Sequence, residues 1–217
     1  LTIDATTLDN NGRDLLLKSP LKQIGEGLSE IDFSGKSNAK IEMNFGLEDS
    51  SNLQLKGEAI PVQNQSQVQV DKLLLTDLQG KVEFSEKGIE PSLMKGRLFG
   101  EPIEINLSEK VVENAAPSQP HLTINHSKVL NAKIKGQLNR ELVSSYLGEH
   151  WIKYFNGKSP FTAELNILEQ QSGGQLLLDL NSNLDGVAIQ LPDELNKPKE
   201  AKTPVSLNIL LNETKSS

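Results

Sequence analysis

Two absences limit what this sequence can encode: cysteine is missing, and aromatic side chains are scarce. None of the 217 residues is a cysteine, which excludes a disulfide framework and any thiolate site. Aromatic residues make up only 4% of the chain, which is less core material than a compact enzyme domain usually carries. The chain is nevertheless too rich in regularly spaced leucine, isoleucine and valine to be disordered.

The chain also lacks a surplus of basic residues and a long apolar run. Its net charge is -7, which argues against binding to nucleic acid or to anionic membrane surfaces. Its apolar runs are short, such as Leu73–Leu75, whereas a membrane-spanning helix needs about 20 residues. No signal peptide opens the sequence, and Val205–Leu211 still alternates like a strand near its end. We therefore expect a soluble β segment cut from a longer protein.

The apolar residues that are present alternate with polar ones, as they do in β-strands. Phe161, Ala163, Leu165 and Ile167 are a strict example. The same period of two recurs in other stretches, at 41–47, 68–84, 99–107, 176–191 and 205–211. Strands of this kind have one apolar and one polar face, and no alternation of strands with helices is evident. The pattern predicts a mainly antiparallel sheet that is wetted on one side.

Two stretches have helical spacing instead. The stronger one is Asn139–Phe155, with Asn139 as a plausible N-cap, and we expect Leu147 and Trp151 to pack it onto the sheet or to cap one end of a groove. The weaker one is Leu15–Leu28.

Loops are predicted where polar and proline residues gather. One is Glu109–Pro120, and another is Asn196–Pro204.

Residues that could carry chemistry do not form a recognisable site. His121, His126 and His150 lack the spacing of a zinc motif, and the nucleotide-binding and nucleophile-elbow motifs are absent from the sequence. The sequence therefore predicts no catalytic residue, no metal site and no cofactor.

The carboxylates do not suggest an acid–base pair either. Glu83, Glu101, Glu104 and Glu164 lie opposite the apolar positions of their strands and are expected to face water. Catalytic carboxylates are usually partly buried, because burial tunes their pKa.

The order of the glycine-containing motifs resembles that of AsmA-like envelope proteins, and of their YhdP branch in particular. The resemblance rests on the run from Leu78 to Ile103, on Phe155–Phe161 and on Gly186–Pro198, whose end reads Leu195-Asn196-Lys197-Pro198. An earlier Ser19-Pro20-Leu21 stretch fits the same family. The sequence departs from the family pattern at Asp193-Glu194, where a second proline is expected, and this departure loosens a turn without removing a site.

The resemblance implies a fold and a function. The fold would be a long antiparallel sheet curled into a repeating β-groove with an apolar inside, plus one or two short helices. The chain would be a non-enzymatic, periplasmic segment of a lipid-transfer protein of a Gram-negative bacterium, moving phospholipid between the inner and outer membranes and supporting the outer-membrane barrier. Its partners would be phospholipid acyl chains, neighbouring repeats, and the inner membrane through an anchor absent from this chain.

Combined with the alternation, the resemblance predicts a groove lining. The strand path through Leu74 and Phe84 is expected to neighbour the path through Phe99 and Ile105, with a glycine turn near Gly88 between them. The candidates are Leu74, Leu78, Val82, Phe84, Phe99, Ile103, Ile105, Phe161, Leu165, Leu178, Leu180, Val187, Ile189, Leu207 and Ile209.

The organisation and the alternatives remain open at this point. The chain divides into residues 1–115, with a short N-terminal helix, and residues 116–217, with the helix near 139–155; one continuous domain is the alternative. The main functional alternative is a structural or adhesive β-repeat module without lipid cargo, and an enzyme is the third hypothesis. A packed module would interdigitate its apolar faces, whereas a conduit would leave an apolar trough open.

Overall fold

The computed structural model describes residues 2–8, 31–44, 54–114, 125–168, 175–191 and 196–211. The weaker predicted helix, Leu15–Leu28, lies outside these residues. Within them the structure is mainly β, and the sheet prediction is confirmed.

The elements follow one another as predominantly short strands with two helices in the second half. The strands are β1 (Thr2–Leu8), β2 (Asp32–Ser34), β3 (Lys36–Asn44), β4 (Gln54–Pro61), β5 (Gln67–Val70), β6 (Leu73–Gly80), β7 (Val82–Ser85), β8 (Gly88–Ile89), β9 (Ser92–Leu98), β10 (Glu101–Asn114), β11 (Asn125–Leu138), β12 (Phe155–Gly157), β13 (Ser159–Leu168), β14 (Gln175–Ser182), β15 (Val187–Ile189) and β16 (Val205–Leu211). The helices are α1 (Arg140–Leu147) and α2 (Glu149–Ile152).

These strands form three antiparallel sheets. The large sheet has nine strands in the order β16-β14-β13-β11-β10-β9-β6-β5-β2, and the small sheet has five in the order β1-β3-β4-β7-β8. The third is the pair β12-β15. The nine strands lie across the large sheet in chain order, from β2 to β16, so its topology is that of a meander with strands of the other sheets inserted between some neighbours.

Four crossings between the large and small sheets lie entirely within the described residues. Only Gly35 separates β2 from β3, and only Lys81 separates β6 from β7, although the members of each pair belong to different sheets. The other crossings are residues 62–66 and Glu90–Pro91. Gly35 has a φ of +100°, and a Cβ there would lie 1.4 Å from the Gln65 carbonyl oxygen, so only glycine fits this bend. These crossings connect the small sheet to strands β2, β5, β6 and β9, which form one side of the large sheet.

The crossings correct the predicted groove path. Val82 and Phe84 do not continue the strand of Leu78, because the crossing at Lys81 places them in the small sheet. Nor is β6 next to β10, since β9 lies between them. The predicted turn near Gly88 exists, but it joins β7 to β8.

A β-bulge in β6 corrects a second detail. The pairing of β6 with β9 shifts between Thr76 and Gln79, and Asp77 has a φ of +52°. A bulge adds one residue to a strand and so exchanges the two faces beyond it. Leu78 is therefore buried, whereas Leu74 lies on the opposite face and is 40% exposed. The prediction that both residues share one apolar face is wrong.

Strand β10 is longer than the sequence indicated. It runs to Asn114 and pairs with β11 from Glu104, opposite Lys135, to Asn114, opposite Asn125. The predicted loop at Glu109–Pro120 is wrong for residues 109–114, because β11 supplies hydrogen-bonding partners for this polar stretch. The large sheet also contains strands from both sides of the predicted boundary at residue 115.

Two phenylalanines cover glycines on neighbouring strands of the sheets. Gly57 pairs with Phe84 in the small sheet, and Gly136 pairs with Phe161 in the large sheet. A Cβ at Gly57 would lie 2.3 Å from the Phe84 ring, and one at Gly136 would lie 2.9 Å from the Phe161 ring. A ring over a neighbouring glycine replaces the side-chain packing that the glycine lacks.

Candidate functional site

The inner face of the large sheet is fully buried along its centre. Ile105 pairs with Met94 on one side and Ile134 on the other, and all three belong to one continuous apolar core. The next strands continue the same face. The buried residues include Leu98, Ile103, Ala132, Phe161, Ala163, Leu165, Ile167, Leu176 and Leu178. Burying each large aliphatic side chain contributes about 1.5–3 kcal/mol, so this face accounts for much of the stability.

The apolar face of the small sheet is only partly covered. Along β3 the exposed and half-buried residues alternate, and no residue of that strand is fully buried. We call the half-buried side the small-sheet apolar face. Its residues are Ala39, Ile41, Met43, Leu55, Gly57, Ala59, Val82 and Phe84, which the strand register places opposite one another. Leu55 is the fully buried side chain among them.

Val82 joins this face to the core. It is half-buried and packs against the buried cluster of the large sheet, whereas its neighbour Glu83 is exposed. The small-sheet apolar face therefore continues the inner face of the large sheet. The combined apolar surface is closed on the large sheet and more open on the small one.

The predicted lining residues fall into different environments. The fully buried ones are Leu78, Ile103, Ile105, Phe161, Leu165, Leu178 and Val187, and the half-buried ones are Val82, Phe84, Phe99, Leu180, Ile189 and Ile209. Leu207, on edge strand β16, is 41% exposed. Val187 and Ile189 belong to the third sheet and do not extend the large one. Accessible positions among the predicted residues thus lie on the small sheet, at the β9–β10 turn, on β14 and β15 and on edge strand β16, and the exposed Leu74 lies on the outer face of the large sheet.

Six of the eight residues of the small-sheet apolar face are not among the predicted lining residues: Ala39, Ile41, Met43, Leu55, Gly57 and Ala59. Ile41 and Met43 lie in the alternating stretch 41–47, which puts them on one strand face without assigning them to the groove. Only the structure shows that they are more accessible than Ile105 or Leu165 on the large sheet.

Helix α1 covers one end of the large sheet. The side chain of Asn139 accepts a hydrogen bond from the Leu142 N–H at 2.9 Å and donates one to the Phe99 carbonyl at 3.0 Å. The predicted N-cap is confirmed. Leu142 is buried in the core cluster, and Val143 packs against it.

Tyr146, also on α1, reaches the turn between β5 and β6. The Nζ of Lys72 lies 5.6 Å from the centre of its ring. Burial raises the pKa of Tyr146 above its usual value, and the nearby Asp71 carboxylate raises it further. The phenol therefore stays neutral in this contact at physiological pH.

The packing roles predicted for Leu147 and Trp151 are wrong. Leu147 is 61% exposed and Trp151 is 45% exposed. Gly148, with a φ of +88°, ends α1 and begins the short α2, so Trp151 does not follow the buried stripe of α1. It contacts Tyr154 instead, at 6.2 Å between ring centres.

We expect Leu142→Ala to destabilise the protein far more than Trp151→Ala. Truncating a buried leucine costs about 2–5 kcal/mol because of lost burial and a residual cavity. Truncating the exposed tryptophan should cost less than about 1 kcal/mol. Urea unfolding of both variants checks this, and equal losses of stability would contradict the assignment.

A buried lysine explains the Lys197-Pro198 end of the family motif. The Nζ of Lys197 donates to the carbonyls of Leu184 and Val187, both at 2.7 Å, and to the carbonyl of Pro198 at 3.2 Å. Its backbone pairs with Ile189. An ammonium group shared among carbonyl oxygens holds this irregular segment closed, so the role of Lys197 is structural.

The centre of the large sheet's outer face is polar and charged, although this face also carries the exposed Leu74, Leu93 and Leu210. Glu104 pairs with Lys135 across β10 and β11, and Lys133 pairs with Glu164 across β11 and β13. The amide of the fully buried Asn131 donates to Glu164 at 2.8 Å. This register sets opposite charges across from one another and gives the centre of the sheet two chemically distinct sides.

The described residues include no group of three or more histidine, cysteine or carboxylate side chains that could hold a metal ion. His150 is exposed on α2, and the side chains of His121 and His126 lie outside the described part. Glu83 is exposed and pairs with Lys81. Among the helices that the structure describes, none is long and apolar enough to cross a membrane.

The sequence of the chain is similar to a protein family and to a transporter of that family. The family model described as YhdP protein matches residues 1–217. The chain is also 23% identical over 193 residues to the "Intermembrane phospholipid transporter YhdP" of Escherichia coli (strain K12), and the match covers 88% of this chain but only 14% of that protein. No solved structure matches the chain. Because the family model covers the entire sequence, the predicted resemblance is confirmed and the chain belongs to the YhdP family.

Proposed function

We propose that this chain is a lipid-carrying segment of a phospholipid transporter, and that acyl chains bind along the small-sheet apolar face. The observation that carries the proposal is the unequal burial of one continuous apolar surface. The large-sheet part is packed, whereas Ile41 and Phe84 on the small sheet keep part of their surface accessible. The name of the Escherichia coli relative gives phospholipid as the cargo of that protein.

The chemistry of this face suits an acyl chain. Its residues offer methyl, methylene, thioether and aromatic surface, and their side chains carry no hydroxyl, amide or charge. Each methylene buried against them contributes about 0.8 kcal/mol. Such a surface recognises hydrocarbon without reading a headgroup, so the segment should accept phospholipids with different headgroups.

The same proposal places the segment in the cell envelope. The whole protein would sit in the periplasm of a Gram-negative bacterium, joined to the inner membrane by an anchor elsewhere in its chain and continued by neighbouring repeats. It would move phospholipid between the inner and outer membranes and support the outer-membrane barrier. Transfer along an apolar face breaks no covalent bond, so the proposed function is not enzymatic.

Lipid extraction from the purified chain tests this function. We expect mass spectrometry to detect co-purifying phospholipid with mixed headgroups. Phe84→Asp should lose this lipid, because a carboxylate on the face must be desolvated when hydrocarbon covers it. Glu83→Gln, on the opposite face of the same strand, is the matched control and should retain it.

The structural-module hypothesis makes the opposite prediction for the same experiment. Its support is the packed inner face of the large sheet, which a repeat module would also need. Absence of lipid from the wild-type chain, or equal lipid in both variants, would favour that alternative.

A further inference from the structure

The small and large sheets separate at a seam between β8 and β10. Strand β9 pairs with β10 only as far as Leu107, opposite Ser92, and β10 then continues to Asn114. Strand β8 ends the small sheet, and in the described part of the chain it pairs only with β7. It lies against β10 without a backbone ladder. Apart from the two-residue connection Glu90–Pro91 between β8 and β9, the contacts that join β8 to β10 are not those of sheet pairing.

A carboxylate bridges the seam. Glu109 of β10 accepts a hydrogen bond from the Ile89 N–H of β8 at 2.8 Å. A backbone N–H bonded to a carboxylate forms a charge-assisted hydrogen bond, which is stronger than a bond between neutral groups. The Glu109 side chain thus supplies one hydrogen bond between β8 and β10, which share no backbone pairing.

Gly88 makes room for this contact. Its φ is +132°, and a Cβ at this position would lie 1.8 Å from the Oε1 of Glu109. Any other residue would therefore displace the carboxylate from the Ile89 N–H. The space left by the missing side chain of Gly88 in the small sheet is therefore occupied by the Glu109 carboxylate from the large sheet.

The seam borders the small-sheet apolar face. Ile89 pairs with Phe84, which covers Gly57 in the centre of that face. A change in the spacing of β8 and β10 would move this edge of the small sheet relative to the packed core.

We propose that Glu109 is a positioning residue that latches the small sheet to β10 and so sets how far the apolar surface opens beside the seam. The lipid consequence rests on the proposed function, in which acyl chains occupy the small-sheet apolar face. The latch itself is a statement about the distance between two sheets. A failure of lipid binding and a failure of the latch therefore appear in different measurements.

Distance measurement between two spin labels tests the latch. The chain has no cysteine, so Glu83→Cys and Glu104→Cys place labels only on the outer faces of β7 and β10. We expect Glu109→Ala to lengthen and broaden the interspin distance distribution by several ångströms. Glu109→Gln keeps an acceptor oxygen and should retain the wild-type distribution.

A second pair of variants separates the latch from general strain. Gly88→Ala should reproduce the broadened distribution, because its methyl group displaces the carboxylate. Gly100→Ala is the matched control: Gly100 also has a positive φ, of +78°, but a Cβ there would meet nothing within 4 Å. It should leave the interspin distance unchanged.

Amide exchange in the unsubstituted protein completes the test and does not depend on the folding of any variant. The Ile89 amide should exchange slowly. Exchange at the rate of an unstructured amide would overturn the latch, as would a wild-type distance distribution in folded Glu109→Ala or Gly88→Ala.

Discussion

Ile105→Asp is expected to unfold this protein, whereas Phe84→Asp is expected to leave it folded. Ile105 is only 6% exposed and lies between Met94 and Ile134 on the packed inner face. An unpaired carboxylate there costs several kcal/mol of desolvation in addition to the lost burial, and a domain is stable by only about 5–15 kcal/mol. Phe84 is half-buried, so a carboxylate in its place stays partly hydrated.

Circular dichroism with thermal unfolding checks this pair. Ile105→Asp should already be unfolded at room temperature and show no cooperative transition on heating. Phe84→Asp should unfold cooperatively, with a midpoint temperature within several degrees of the wild-type value. Two folded variants would mean that the large-sheet face is open to water. Two unfolded variants would mean that the small-sheet face is as tightly packed as the core.

This expectation revises the one that the alternation and the family resemblance support together. If Val82 and Ile105 both lined an open trough, the fold should tolerate an aspartate at either position. The structure keeps that expectation for the half-buried Val82 but not for Ile105. A period of two identifies which side chains share a face, but it does not tell what covers the face.

The sequence was most informative where strands are regular. Phe161, Ala163, Leu165 and Ile167 are all buried on one face of β13, as their spacing predicts. The N-cap at Asn139 could also be predicted, because an asparagine caps a helix through a hydrogen bond to a backbone N–H only a few residues later. Both features depend on residues close together in the chain.

The features that shape the candidate site depend on distant parts of the chain. The bulge at Asp77 and the crossing at Lys81 move Leu74, Val82 and Phe84 away from the predicted row. One inserted residue exchanges the two faces of the strand that follows it, and one crossing residue carries the chain into another sheet. The period of two therefore no longer predicts which residues share a face beyond either point.

Glu109 illustrates the same limit. In the sequence it opens a polar stretch that reads as a loop, and its partner at Ile89 is 20 residues away. A signal did exist: Gly88 follows a polar turn, and glycine at such a position suggests a close approach of other atoms. That these atoms belong to Glu109 is learned only from the position of β8 against β10.

Photocrosslinking in the full-length protein tests the central claim most directly. A photoreactive residue at Ile41 or Phe84 places the probe on the small-sheet apolar face, and one at Glu42 or Glu83 places it on the opposite face of the same strands. We expect phospholipid adducts from the first two positions in growing cells and none above background from the other two. Equal labelling from both faces, or no lipid from either, would contradict the account.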